Sequence, residues 1–189
     1  RGEICGLRWS DIDFNASTIS VNRTVEYIPH EGLIFTAPKT KASNRTFKVG
    51  ANCMDMLREY QLYQKAERLR VGSMWARTVQ VENGKTVQND LLFTSWDGTP
   101  FDLERLTTWF PHFLRAHDLP AVHFHSLRHT YASLMIAAHV PITTVSGRLG
   151  HAQTSTTTDI YAGFIRTADA AASDAMEIVF DNIREKSRA

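Results

Sequence analysis

Short runs of alternating apolar and polar residues dominate the first fifty positions of the chain. The runs "STISVNRTVEYI" at 17–28, "GLIFTAP" at 32–38 and "RTFKVG" at 45–50 are rich in β-branched and aromatic residues, which is typical of strands. We therefore predict a small three-stranded antiparallel sheet over 17–49. The residues before it, 2–9, have apolar positions spaced like the end of a helix.

A helical spacing of apolar residues follows the sheet. Met54, Leu57 and Leu62 predict a helix over 51–70. Further along, Asn83-Gly84 separates two short alternating runs, and this dipeptide accepts the positive φ angles of a tight hairpin turn. More helices are predicted over 102–117, 125–139, 141–150 and about 167–185, with a short helix or turn over 154–162. The predicted fold class is mainly α with a small three-stranded antiparallel β-sheet, an α+β fold.

The predicted helix over 125–139 combines an apolar face with a chemically active one. At 3.6 residues per turn, one face carries five residues, Leu127, Tyr131, Leu134, Met135 and Ala138. His125, Arg128 and His129 lie away from the centre of that face. We expect the apolar face to be buried, so that the helix presents an imidazole and a guanidinium rigidly.

Composition restricts where a nucleic-acid surface could lie. The chain has 189 residues, of which 43% are hydrophobic and 22% charged, as in globular proteins. Its net charge is only +1, so any such surface must be a local patch. Between Glu31 and Asp55 there is no acidic residue, and the basic ones there are Lys39, Lys41, Arg45 and Lys48. Charge alone would fit a solvated hairpin equally well.

The cysteines and the ends of the chain bear on its compartment and completeness. Cys5 and Cys53 both have apolar neighbours, so we expect two buried, reduced thiols. No secretory segment is visible, and no apolar run approaches about 20 residues, so we expect a cytoplasmic protein without membrane contact. The opening "RGEICGLRW" is typical of the middle of a helix, which predicts a fragment.

Two other chemistries lack a required residue. His125 and His129 have the spacing of a zinc-protease pair, but Ser126 stands where that motif needs a glutamate. The "GKT" at 84–86 resembles the end of a phosphate-binding P-loop, but Val79 occupies the position of its first glycine. We therefore expect no metal site and no nucleotide cofactor.

Residues 125–161 contain groups suited to metal-free attack on a phosphodiester. Tyr161 can act as a covalent nucleophile, although its phenol needs activation because its ordinary pKa is about 10. Arg128 matches the non-bridging phosphate oxygens with a planar fork of donors. His125 and His151 can donate to phosphate or transfer protons, and a lysine of the basic loop could protonate the leaving alkoxide.

Four segments in series resemble one family, the tyrosine recombinases or phage integrases. "HSLRHTYASLM" resembles the family's His-x-x-Arg box, and "LGHAQTSTTTDIYAG" is similar to its Leu-Gly-His box followed by the nucleophilic tyrosine. "APKTKASNRTFKV" resembles the β-hairpin with the catalytic lysine. "RGEICGLRWSDIDF" resembles the region after the first catalytic arginine. The resemblance extends from residue 1 to about 165, with the segments in the family's order and spacing.

The resemblance implies roles for individual residues. Tyr161 would form a 3′-phosphotyrosyl link and release a 5′-hydroxyl, and Arg128 would be the second arginine of the phosphate clamp. His125 and His151 would bind phosphate and handle protons. Lys39 matches the general-acid lysine, with Lys41 as the alternative because the loop length varies. The DNA-binding candidates are Lys41, Arg45 and Arg148.

The resemblance also implies what surrounds these residues. Glu3 resembles the acidic residue three positions after the first catalytic arginine, which it would orient, and that arginine would precede Arg1. We therefore expect residues 1–189 to be a single catalytic domain, truncated at its N-terminus and poorly active alone. Its partners would be double-stranded DNA and further copies, in a tetramer joined through the helix at 167–185.

Two alternative functions remain open at this point. A type IB topoisomerase-like enzyme would use the same tyrosine chemistry without exchanging its C-terminal helix between copies. A non-catalytic DNA-binding remnant of a mobile element would lack the first arginine even in the full-length gene.

Overall fold

A computed structural model describes residues 1–30, 32–38, 40–81 and 85–161, without the side chain at position 41. The chain divides into two units, Arg1–Ser126 and Leu127–Ala189, and each is described by itself.

The first unit begins with a short helix and five strands. Helix α1 covers Gly2–Cys5, and a 3₁₀ turn over Trp9–Asp11 leads into the strands. The strands are β1 (Ile12–Asp13), β2 (Thr18–Val21), β3 (Thr24–Ile28), β4 (Gly32–Thr36) and β5 (Arg45–Lys48). A second 3₁₀ turn, Lys41–Ser43, precedes β5.

The α+β class is confirmed, but the strands pair differently from the prediction. The three-stranded antiparallel sheet has the order β1-β2-β5, with Ile19 opposite Phe47. Strands β3 and β4 form a separate antiparallel pair, in which Val25 lies opposite Phe35. The run at 17–28 was therefore wrongly predicted as one strand, since the chain leaves the first sheet after Val21.

Asp11 accounts for this break. Its carboxylate accepts a hydrogen bond from Asn22 Nδ2 at 3.0 Å and forms an ion pair with Arg23. It also accepts from the backbone N–H of Arg8 at 2.9 Å. Because Asp11 is buried and consecutive side chains of the strand run both bond to it, the chain turns at this point and starts a second ladder.

Helices and a hairpin complete the first unit. Helix α2 covers Ala51–Val71, as predicted, and a 3₁₀ turn follows at Gly72–Met74. Strands β6 (Thr78–Gln80) and β7 (Thr86–Gln88) form the predicted antiparallel hairpin, while the Asn83-Gly84 turn lies outside the described residues. Helix α3 covers Leu103–Ala116 with Pro111 inside it, and its N-cap Asp102 accepts from the N–H of Glu104 at 2.9 Å.

The core of the first unit joins α1 to both β pairs outside the first sheet. Its buried members are Cys5, Val25, Phe35, Val79 and Leu91. The prediction of two buried thiols was wrong for Cys53, which is exposed. In the first turn of α2 the neighbouring Met54 is the buried residue. Because adjacent residues of a helix point in different directions, Cys53 faces solvent instead of the core.

Three helices form the described part of the second unit. Helix α4 (Ser126–Ala137) crosses the boundary between the units, α5 covers Ile142–Leu149, and α6 runs from 154 through 161. Gly150 ends α5 in the left-handed region, with a φ of 72°, which glycine adopts without strain. The core of this unit contains Ala132, Ile136, Val145, Leu149 and Tyr161. The predicted helix at 167–185 lies outside the described residues.

The predicted buried face of α4 was wrong. Leu127 is 47% exposed and Leu134 is 65% exposed, whereas Ala132 and Ile136 are buried. Because apolar residues lie on several sides of this helix, their spacing alone does not select the side that packs. The packed side is the i, i+4 row that starts at the half-buried Arg128. In the described part of the chain, no helix has the length and apolar character needed to cross a membrane.

Candidate functional site

Tyr161 lies in the apolar core of the second unit. Its side chain comes from α6 and is only 4% exposed, packed with the buried residues of α4 and α5. Burial raises the pKa of its phenol above the usual 10, and the positive charge of Arg128 acts in the opposite direction. The phenol is therefore protonated at neutral pH, and a nucleophilic role requires a group that removes this proton.

His129 lies against this phenol. Its Nδ1 is 2.9 Å from the Tyr161 oxygen, and the two ring centroids are 6.0 Å apart. The sequence motifs did not indicate His129 as a site residue, although it directly follows Arg128. The signal that could have identified it was its position on the helix, since adjacent helical residues point only about 100° apart and both can border one site.

Arg128 connects α4 to the end of α5. Its guanidinium donates a hydrogen bond to the backbone carbonyl of Leu149, one of the last four carbonyls of α5, which lack helical partners. This contact holds the arginine beside the Gly150-His151 segment. The charge of Arg128 also reaches Tyr161, so the two residues that the sequence placed 33 positions apart share one region of the second unit.

His151 is oriented by a residue that sequence reasoning missed. Its Nδ1 lies 2.6 Å from the hydroxyl oxygen of Thr157, which is fully buried. Thr157 precedes Tyr161 by one helical turn on α6. The hydroxyl therefore holds the imidazole in one orientation and leaves Nε2 as the second functional nitrogen.

Arg148 lies in the last turn of α5 at the surface. Its Nε donates to the hydroxyl of Tyr131 at 2.9 Å, which ties it to α4. Its role as a DNA-binding residue stays a prediction.

His125 and Arg1 border one cavity in the first unit. The cavity has a volume of about 400 Å³, and its walls include Thr107 and His123. The guanidinium of Arg1 donates to the hydroxyl of Thr107. The side chains of Arg1 and His125 therefore border one opening, which lies between α3 and the segment before α4. The resemblance had implied no role for Arg1.

The basic loop is only partly described. Lys39 lies outside the described residues, and Lys41 begins the 3₁₀ turn that precedes β5. Arg45 donates to both carboxylate oxygens of Glu3, each at 2.8 Å. The resemblance had assigned Glu3 to orient an arginine of its own helix, whereas this pair connects α1 to β5.

The second unit thus brings together Arg128, His151 and Tyr161 and adds His129 and Thr157. His125, Lys41 and Arg45 belong to the first unit. Within the described ranges, no three His, Cys, Asp or Glu side chains are grouped as a metal site would require. The described groups are suited to holding an anion and moving a proton.

Comparison with known proteins gives relatives of one kind. A "Tyrosine recombinase XerC-like" protein of Caldanaerobacter subterraneus subsp. tengcongensis is 34% identical over 173 residues, which cover 87% of this chain and 42% of that protein. The ICEBs1 integrase of Bacillus subtilis is 25% identical over 160 residues, or 85% of this chain and 40% of the relative. The chain therefore spans less than half the length of these relatives.

Solved structures share the fold. The Tn1549 transposon integrase in complex with circular intermediate DNA superposes with a TM-score of 0.67 at 18% identity, over 84% of this chain and 49% of that one. The XerA recombinase gives a TM-score of 0.59 at 22% identity, over 90% of this chain and 52% of that one.

A sequence profile connects these likenesses to the residues described above. The profile of the phage integrase family matches residues 1–164, which include every candidate site residue and most of both units. With this match and a relative at 34% identity, the chain belongs to the phage integrase family, that of the tyrosine recombinases.

Proposed function

We propose that this chain carries the strand-cleaving chemistry of a site-specific DNA recombinase. Tyr161 attacks a phosphorus of the DNA backbone, forms a 3′-phosphotyrosyl bond and displaces a 5′-hydroxyl. The observation that carries the proposal is the position of the Tyr161 phenol within reach of the Arg128 charge and 2.9 Å from His129. A tyrosine needed only for packing would not require a cation and an imidazole beside its hydroxyl.

The phosphate is held by positive and hydrogen-bonding groups. Arg128 donates its fork to the non-bridging oxygens, and His151 donates from Nε2 because Thr157 engages its Nδ1. His125 adds a further donor. Such preorganised donors stabilise the charge that develops on the phosphate oxygens in the transition state.

The leaving group needs a proton. Lys39 supplies it to the 5′-alkoxide, with Lys41 as the alternative donor. The P–O bond to the 5′-oxygen breaks as the bond to Tyr161 forms, so the bond energy is conserved in the covalent intermediate. The reaction therefore needs no nucleotide cofactor, and the 5′-hydroxyl of another strand reverses it.

The Tyr161 phenol must be uncovered before it can attack. At 4% exposure, its phenol is not reachable by a duplex in the described conformation. Binding of DNA must therefore uncover the phenol while its oxygen stays beside His129 and Arg128, and the binding energy of remote phosphates can supply the cost of exposing the ring.

The partners follow from the same chemistry. Double-stranded DNA contacts Lys41, Arg45 and Arg148, and the protein acts on bacterial DNA in the cytoplasm. Recombination needs four strand cleavages, so copies assemble as a tetramer on DNA through residues 167–185, which lie outside the described range.

A covalent trapping experiment tests the proposal. The full-length protein is incubated with nicked duplexes from the DNA flanking its gene, in which the cleaved fragment diffuses away and the adduct accumulates. The wild type should form a protein–DNA band that resists denaturation, and Tyr161→Phe should form none. Tyr131→Phe is the matched control and should keep the band. An adduct that persists in Tyr161→Phe would assign the nucleophile to another residue.

A further inference from the structure

The contact between His129 and Tyr161 joins two different parts of the second unit. His129 extends from the first turns of α4, and Tyr161 lies 32 residues later on α6. The histidine is exposed overall, whereas the tyrosine is buried. The imidazole therefore bridges the solvent and the phenol, with Nδ1 at hydrogen-bond distance from the oxygen that would attack DNA.

A buried phenol presents a specific problem of proton transfer. Its pKa is raised by burial, so the proton remains on the oxygen throughout the neutral range. Arg128 stabilises a developing phenolate by its charge but offers no lone pair to accept the proton. Nδ1 of His151 is engaged by Thr157. A neutral imidazole, by contrast, has one ring nitrogen with a lone pair that can accept a proton.

We propose that His129 is a catalytic residue, the general base of the cleavage reaction proposed above, on which this inference rests. With its hydrogen on Nε2, neutral His129 accepts the phenolic proton at Nδ1 as the Tyr161 oxygen bonds to phosphorus. When a 5′-hydroxyl later attacks the phosphotyrosine, the imidazolium returns that proton to the departing tyrosine oxygen. The proton of the attacking hydroxyl goes to the lysine that served as general acid.

Two substitutions separate proton transfer from simple positioning. His129→Asn places an amide oxygen near the position of Nδ1, so it can accept the hydrogen bond but cannot take the proton. His129→Ala keeps a good helix former in α4 and leaves a space open to solvent. Both variants should form the covalent adduct about 100-fold more slowly than wild type in single-turnover assays, since general bases typically contribute at least this factor.

Chemical rescue supplies the readout that a structural role would not give. Added imidazoles should restore adduct formation by His129→Ala, with a rate that rises with the basicity of the imidazole. His139→Asn is the matched control, because His139 lies just after α4 with a φ of 58°, which asparagine tolerates, and it should cleave at the wild-type rate.

The outcomes distinguish this inference from the proposed function. If wild type forms no adduct, or if the adduct persists in Tyr161→Phe, the proposed function fails. If wild type cleaves through Tyr161 but His129→Asn retains a rate within threefold, His129 is not the base. Slow cleavage by His129→Ala that no imidazole rescues would equally overturn the proton-transfer role. Rescue that increases with basicity supports it.

Discussion

Arg45 holds the carboxylate of Glu3 through two parallel hydrogen bonds, each 2.8 Å long. The arginine side chain is 12% exposed and the glutamate 37% exposed, so water screens the pair only partly. The bond connects α1, where the chain resembles the arginine helix of its family, to β5, which follows the basic loop. The pair therefore holds α1 and β5 in position relative to each other within the first unit.

Removal of this pair should destabilise the protein. Arg45→Ala should lower the free energy of unfolding by about 1 kcal/mol, the upper range for a partly exposed pair, because the bidentate geometry is favourable. Arg45→Lys should recover little of this, since an ammonium cannot reproduce the planar fork. Urea unfolding of both variants, of Glu3→Gln and of the double variant Glu3→Gln/Arg45→Ala measures the coupling. If the double variant lost as much free energy of unfolding as the two single variants together, Glu3 and Arg45 would not be coupled.

Salt dependence should distinguish the two basic residues of the loop region. Each lysine or arginine that neutralises a DNA phosphate adds about 0.9 to the slope of log affinity against log salt. Lys41→Ala should therefore reduce that slope by about this amount. Arg45→Ala should reduce it less, because Glu3 already balances the arginine charge. Fluorescence anisotropy at several salt concentrations measures both slopes, and a larger change for Arg45→Ala would show that its pair with Glu3 opens on DNA.

The Thr157 hydroxyl should matter for cleavage more than for folding. Thr157→Val keeps the shape of the fully buried side chain and removes its hydrogen bond to His151. A lost neutral hydrogen bond is equivalent to about 1 kcal/mol, so adduct formation should slow by roughly fivefold to tenfold. Thr158→Val, at the exposed neighbouring position, is the control and should have no effect. Equal rates of adduct formation in the two variants would mean that Thr157 does not orient His151 for cleavage.

The two thiols should react at very different rates. Burial raises the pKa of Cys5 to about 11, so at pH 8 the folded protein holds it as an inaccessible thiol. Cys53 is exposed on α2 and should react within minutes with a disulfide reagent. That fast phase should vanish in Cys53→Ser and persist in Cys5→Ser. Loss of the fast phase in Cys5→Ser would mean that the core around α1 opens readily.

Local sequence patterns predicted the elements better than their packing. The helices at α2 and α3 and the β6–β7 hairpin were predicted because capping residues, helical spacing and turn residues act locally. The division of 17–28 into two strands depends on Asp11, whose contacts with Asn22 and Arg23 come from tertiary structure. The alternation of apolar and polar residues within 17–28 gives no indication of such a contact.

For the candidate site, too, the sequence predicted the local motifs but not the contacts between elements. The boxes around Arg128, His151 and Tyr161 were found because motif spacing is local. The buried side of α4 was not, because an apolar helix offers several sides and only its neighbours decide between them. The contacts of His129 with Tyr161 and of Thr157 with His151 depend on how α4, α5 and α6 meet. The Glu3–Arg45 pair spans 42 residues and has no sequence signature.

The identity of the residue that bonds to DNA tests the proposed cleavage reaction most directly. The full-length protein is trapped on a nicked duplex, the DNA is digested to a short remnant, and the protein is cleaved and analysed by mass spectrometry. We predict one nucleotide-bearing peptide, with fragment ions that place the phosphodiester on the Tyr161 oxygen. A nucleotide on Tyr131, or on any serine or threonine of the α6 region, would contradict this prediction.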